Sequence, residues 1–230
     1  MSMLTAIIVA AGSSRRMGFD KLFETIAGKP VLAHTIAAFE NAKSVSQILV
    51  VARKNRRGEI ENIARDQNWK KVGSVVTGGE HRQDSVRAGL SHLDESAQYV
   101  AVHDAARPLI TPEQIERVFR QCRAHGAAAL AASITDTVKR SDKNLYVTDS
   151  VDRHQLYAMQ TPQIFERKLL EQGYRSVGEK NLAVTDEVSA VELIGAKVAL
   201  VVNEEFDFKI TYPRDLAVAE FVLEQRARRS

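Results

Sequence analysis

Three cations gather just beyond an apolar run in IIVAAGSSRRMGFDKLF, residues 7–23: Arg15, Arg16 and Lys21. Gly12 falls where the run must turn sharply and Gly18 closes the loop. Glycine admits positive φ and lets a ligand approach the backbone closely. Cations arranged around exposed N–H groups form an anion site with room for several phosphate oxygens, which is what a triphosphate presents. The loop lacks the Gly-Lys-Ser/Thr ending of a Walker A loop, and GSSRRMG is not G-x-G-x-x-G.

Two further clusters could meet this loop. VHDAARP, 102–108, brings a carboxylate to the end of a second apolar run. Asp104 has the hard oxygen chemistry for Mg²⁺ or for ligand hydroxyls. His103 beside it is expected to be a hydrogen-bonded structural residue and Arg107 a structural ion-pair donor. TGGEHRQDSV, 77–86, places Gly79 after a third run, where bare N–H and C=O groups can read a base, with Ser85 adding a hydroxyl at a helix start. Thr137, Lys139, Arg153, Thr161 and Lys209 are not diagnostic singly; their meaning depends on whether they converge.

These groups need elements to carry them. Short β-branched or apolar runs at 6–10, 47–52, 73–77, 99–103, 127–132 and 197–202 alternate with amphipathic stretches near 30–40, 56–67, 82–93, 112–124, 165–173, 185–194 and 213–227. Continuously apolar strands are those covered by helices on both faces. Repeated strand-helix-strand units with right-handed crossovers build a mostly parallel α/β sheet, whose ligands bind beyond the carboxyl ends of the strands. Thr111, Pro112 and Gln114 carry the N-cap, first-turn proline and capping-box partner of one helix. From about Thr135 to Gln160 the rhythm breaks, and Thr and Val flank a polar RSDKN turn. That pattern predicts a projecting β-hairpin, marginal alone unless it docks on a partner.

Composition excludes several classes. Lys and Arg number 32 against 29 Asp and Glu, a net charge of +3. This is no basic domain for nucleic acid, and no basic run alternates with aromatics. One cysteine, Cys122, excludes an internal disulfide framework and argues against a zinc cluster, so a reducing, cytoplasmic location is expected. The apolar run Leu4–Ala11 is far short of the roughly 20 residues that cross a bilayer, so no membrane association is expected.

Taken in order, AAGSSRRMG, DKLF, GGEHRQDSV, VHDAARP, DTVKR, VDR with TPQ, TDE at 185–187 and KIT-P--L at 209–216 resemble the 2-C-methyl-D-erythritol 4-phosphate cytidylyltransferases, from Ile7 to Glu220. The resemblance implies a Rossmann-like nucleotidyltransferase sheet with helices on both faces and a β-arm at about 135–160, in a single domain over 1–230. It implies transfer of CMP from CTP to methylerythritol phosphate with release of pyrophosphate, in the non-mevalonate route to isoprenoids. Mg²⁺ is the implied cofactor, held mainly by the CTP phosphates with Asp104 as a possible ligand, and the implied assembly is a homodimer through the arm.

Carried over by motif, Arg16 and Lys21 stabilise charge on the triphosphate. Ala10, Ala11, Gly79, Glu80 and Ser85 surround cytosine, and Gly12 lies against the phosphates. Asp104, Thr137, Thr161 and Lys209 hold the acceptor, joined by Arg153 reaching across the dimer. Asp20 stands where many relatives have proline, a carboxylate placed to tune Lys21. Ribitol-5-phosphate cytidylyltransferase is the near alternative. A dinucleotide-binding dehydrogenase is disfavoured because the second strand ends in the basic VVARKN without an acidic residue.

Overall fold

The computed structural model describes residues 4–12 and 17–229. In chain order the elements are β1 (Leu4–Ala10), β2 (Thr25–Ile26), β3 (Lys29–Pro30), α1 (Val31–Asn41), β4 (Val45–Ala52), α2 (Arg57–Asp66), β5 (Val72–Thr77), α3 (Arg82–Leu90), β6 (Tyr99–Asp104) and α4 (Pro112–His125). Then follow β7 (Ala127–Ser133), β8 (Val138–Ser141), β9 (Val147–Val151), β10 (Tyr157–Glu166), α5 (Arg167–Glu179), α6 (Glu187–Glu192), β11 (Ala199–Val202) and α7 (Pro213–Ala227). A 3-10 turn over Lys54–Arg56 links β4 to α2.

Seven strands form one sheet in the order β11-β7-β10-β6-β1-β4-β5. All its pairings are parallel except those of β10, which runs antiparallel to β6 and β7. Alternation along β1 divides the core: Leu4, Ala6 and Ile8 pack with Ile36, Phe39, Ile115 and Val118 on one face. Ile7 packs with Val86, Leu170, Val177 and Val191 on the other. Helices therefore cover both faces, as the continuously apolar strands require. The capping box opens α4 as expected, with Gln114 N–H donating to Thr111 Oγ1 at 3.3 Å and Thr111 N–H donating to Gln114 Oε1 at 2.9 Å.

Two expectations need correction. Residues 157–160 are expected to close the hairpin and residue 165 to start a helix, yet Tyr157–Glu166 forms one strand, β10, in the interior of the main sheet. Pro162 argues against a central strand, because it cannot donate to a ladder. The register instead shifts between Met159 and Gln163, so this stretch skips the pairing that proline could not make. As a result α5 begins at Arg167 rather than at 165. The expected hairpin is present as β8 and β9, paired with each other and outside the main sheet, with nearly every residue exposed.

Candidate active site

The carboxyl ends of β1, β5 and β6 open onto a cavity of about 400 Å³. Its wall includes Ala11, Gly12, Lys21, Gly79, Glu80, Ser85, Asp104 and Lys209, so loops predicted separately do converge. Ala10 lies at the end of β1, 4 % exposed beneath them. Thr161 lines an adjoining hollow of about 370 Å³ that shares Arg82, Asp104 and Lys209 with the first. Thr137 and Arg153 belong to the arm and are in neither lining, and the Arg153 guanidinium donates to the carbonyl of Thr135 on the same arm. Arg16 lies outside the described residues.

The floor of the cavity is bare backbone for a steric reason. A Cβ on Gly78 would stand 2.6 Å from Ala11 Cβ and 2.7 Å from Ser85 Oγ, and one on Gly79 would stand 2.4 Å from Asp84 Cβ. Gly78 N–H donates to the Ala52 carbonyl at 2.9 Å, which ties the turn to the end of β4. Gly18, at φ 74°, supplies the left-handed turn that leads the first loop back towards Lys21. The Lys21 ammonium donates to the carbonyl of Ile210, beside Lys209.

Asp104 is held by two cations. Lys209 Nζ meets Oδ2 at 2.8 Å and Arg82 Nε meets Oδ1 at 3.0 Å. Burial alone would push this carboxyl up, but Arg82 and Lys209 outweigh it and hold it well below the usual carboxylate range. Behind it the Arg82 guanidinium forks onto Glu187, Nη1 to Oε1 at 2.6 Å and Nη2 to Oε2 at 3.0 Å, and Tyr174 donates to Oε1 at 2.9 Å. Glu187 is wholly buried. Lys209, Asp104, Arg82 and Glu187 thus form a run of alternating charge. Its inner half comes from two motifs of the sequence, GGEHRQDSV and TDE, in which neither Arg82 nor Glu187 is an expected site residue. No spacing in the sequence pairs them: Glu187 is buried only in the folded chain, and charge that deep survives only when paired.

His103 is structural, as expected. It is wholly buried, with Nδ1 3.0 Å from Thr161 Oγ1 and Nε2 3.3 Å from the Arg107 carbonyl oxygen. Burial pushes its pKa down to about 3. Arg107 pairs with Asp207 at 3.5 Å. Burial, partly offset by Arg107, pushes the Asp207 carboxyl up to about 6. The carboxylate of Asp20 accepts from Arg53 and, at 2.9 Å, from Arg56, so its partners are guanidinium groups rather than the neighbouring lysine it was expected to tune.

The cavity is lined by fixed cations and bare backbone, and residues 4–225 match the sequence profile of the 2-C-methyl-D-erythritol 4-phosphate cytidylyltransferases (IspD). The chain belongs to this cytidylyltransferase family. Among curated relatives, the 2-C-methyl-D-erythritol 4-phosphate cytidylyltransferase of Caldanaerobacter subterraneus subsp. tengcongensis is 40 % identical over 223 residues, covering 96 % of this chain and 98 % of the relative. The crystal structure of 4-diphosphocytidyl-2C-methyl-D-erythritol synthase from Anaerococcus prevotii superposes with a TM-score of 0.85 at 30 % identity, over 97 % of this chain and 99 % of that one. The cytidylyltransferase of Thermus thermophilus gives 0.79 at 28 % identity, over 97 % and 98 %.

Proposed function

We propose that the protein transfers CMP from CTP to 2-C-methyl-D-erythritol 4-phosphate, giving 4-diphosphocytidyl-2-C-methyl-D-erythritol and pyrophosphate in isoprenoid biosynthesis. One observation carries the reading beyond family membership: Lys21 and Lys209, from opposite ends of the chain, line one cavity with the bare backbone of Gly79 and the hydroxyl of Ser85.

An oxygen of the acceptor phosphate attacks the α-phosphorus of CTP, a new P–O bond forms, and the bond to the β-phosphate breaks as pyrophosphate leaves. The acceptor is already ionised at neutral pH, so no strong general base is needed. What is needed is to bring two anions into line while charge grows on the α-phosphate and the leaving group. In this reading Lys21 and Arg16 stabilise the triphosphate, and Gly12 offers backbone to it. Ala10, Ala11, Gly79, Glu80 and Ser85 enclose the base. Lys209, Thr161 and Asp104 receive the acceptor, with Asp104 holding the Lys209 ammonium in place.

Mg²⁺ supplies charge neutralisation on the triphosphate when bound. Both oxygens of Asp104 already face cations, and among the described residues no three His, Cys, Asp or Glu side chains are grouped as ligands. We read the metal as carried in chiefly by the CTP phosphates; Asp104 would reach it only by giving up Arg82 or Lys209. The arm is read as a dimer contact: Leu145, Tyr146 and Val147 at its tip are 85, 72 and 66 % exposed. Arg153 and Thr137 would complete the acceptor site of the partner copy. No helix among the described residues is long and apolar enough to cross a membrane, and a cytoplasmic location belongs to the same reading.

The test is pyrophosphate release with Mg²⁺, offering CTP, UTP, ATP and GTP in turn with methylerythritol phosphate or ribitol 5-phosphate. Release with CTP and methylerythritol phosphate alone is expected. Release only with ribitol 5-phosphate, or with every nucleotide, would overturn the assignment of acceptor or base.

A further inference from the structure

Lys21 can stabilise a growing charge only if its backbone is held still, because a lysine is a point charge on a flexible four-carbon stem. The segment that carries it is gripped on both sides. Before it, Asp20 Oδ2 accepts from Arg53 and from Arg56 Nε, the latter at 2.9 Å, with the Asp20 side chain only 12 % exposed. After it, the same Arg56 guanidinium lies over the Phe23 ring at 4.5 Å from its centre. Phe23 N–H donates to the Asp20 carbonyl at 3.1 Å, closing the turn that presents Lys21, and Leu22 is buried with its carbonyl accepting from Leu32 N–H at 3.0 Å. Arg53 directly follows β4, an interior strand between β1 and the edge strand β5 whose residues Ile48–Ala52 are buried, so the grip is anchored to the core.

The grip also settles the charge beside the triphosphate. A lone carboxylate next to Lys21 would compete with the phosphates for cations. Here Asp20 and Glu59 balance Arg53 and Arg56, the Arg56 Nη1 to Glu59 Oε2 contact being 2.6 Å. We infer that Asp20 is a positioning residue for CMP transfer, clamped by Arg53 and Arg56 so that the turn aims Lys21 at the triphosphate. The inference rests on the nucleotidyl-transfer reading above and adds to it a device built from side chains outside the cavity.

A double-mutant cycle with Lys21 tests it. Asp20→Ala is expected to lower kcat about tenfold, in line with the cost of misplacing a catalytic group. Its effect on the acceptor KM should stay within about twofold. In a Lys21→Ala background the same substitution should change kcat by less than about twofold, because the group it positions is gone. Arg53→Ala combined with Arg56→Ala should reproduce the pattern. An equal loss in both backgrounds would show a general structural role and overturn the inference.

A second cycle needs no turnover: calorimetric binding of Mg-CTP to the same four proteins. Asp20→Ala should weaken binding several-fold only where Lys21 is present, and equal weakening in both backgrounds overturns the inference. If the unaltered protein released no pyrophosphate, the proposed reaction would fail while this binding cycle still decided the clamp.

Discussion

The two flanks of the candidate site are held by different physics. Behind Asp104, charges alternate inward from Lys209 through Arg82 to a Glu187 with no exposure, and two helices and the sheet enclose them. On the other flank, β8 and β9 pair only with each other, and residues 139–150 are all exposed. The inner flank is rigid because a buried charge that loses its partner is costly, so each member fixes the next. The arm has no such penalty, and a two-stranded hairpin is marginal by itself unless a partner covers it. Residues that position the reaction from the inner flank should therefore couple to stability, while those on the arm should couple to assembly.

Glu187→Ala is the strongest attempt to break that contrast. It leaves the buried side of Arg82 without its fork, and should cost roughly 3–5 kcal/mol of stability, read as a lowered midpoint in urea. A loss below about 1 kcal/mol would mean that the inner flank is no more constrained than the arm.

Lys21→Ala sharpens the contrast from the cavity side, since this lysine faces the site and is not buried within the charge run. The expected cost is roughly 10²–10³ in kcat with little change in melting temperature, and Arg16→Ala should behave alike. Steady-state kinetics beside a melting curve will separate the two effects, and unchanged turnover would remove either residue from the triphosphate site.

For the arm, replacing Leu145 and Tyr146 together by serine should leave the urea transition of the isolated chain within about 0.5 kcal/mol. Sedimentation should then show the mass of one chain in place of two, and kcat/KM for the acceptor should fall about tenfold as the partner's Arg153 is lost. An unchanged mass would end the arm's role as a dimer contact.

The smallest effect is a pH slope. His103 is kept neutral down to about 3, so its contribution to stability is present above the unfolded pKa near 6.5 and is lost as the pH falls. Asp207 runs the other way: its carboxyl is raised to about 6, so its contribution is present below the unfolded value and is lost as the pH rises through 6. Between pH 4 and 6 the two oppose each other. His103→Asn should flatten the rise of stability with pH over that window and Asp207→Asn should steepen it, measured as urea midpoints against pH. Parallel curves for both variants would show that neither group titrates as the burial of this flank requires.

Much of this was legible in the chain itself. Apolar runs of strand length alternating with amphipathic stretches specify a mostly parallel sheet, because side-chain period and continuous burial are local properties. The glycines at 12, 18 and 79, with Lys21 and Asp104, mark the binding edge because strand ends in such sheets always face it. β10 was not legible, since a proline and polar residues interrupt its pattern, and only the pairing partners β6 and β7 make it a strand. Nor were Arg82 and Glu187, whose significance is an ion pair between α3 and α6, or Asp20, whose carboxylate finds Arg53 and Arg56 instead of its neighbour. Residue types and spacing decided what chemistry was available and at which edge. Which charge meets which is a matter of distances between segments far apart in sequence, and only the packed structure sets those.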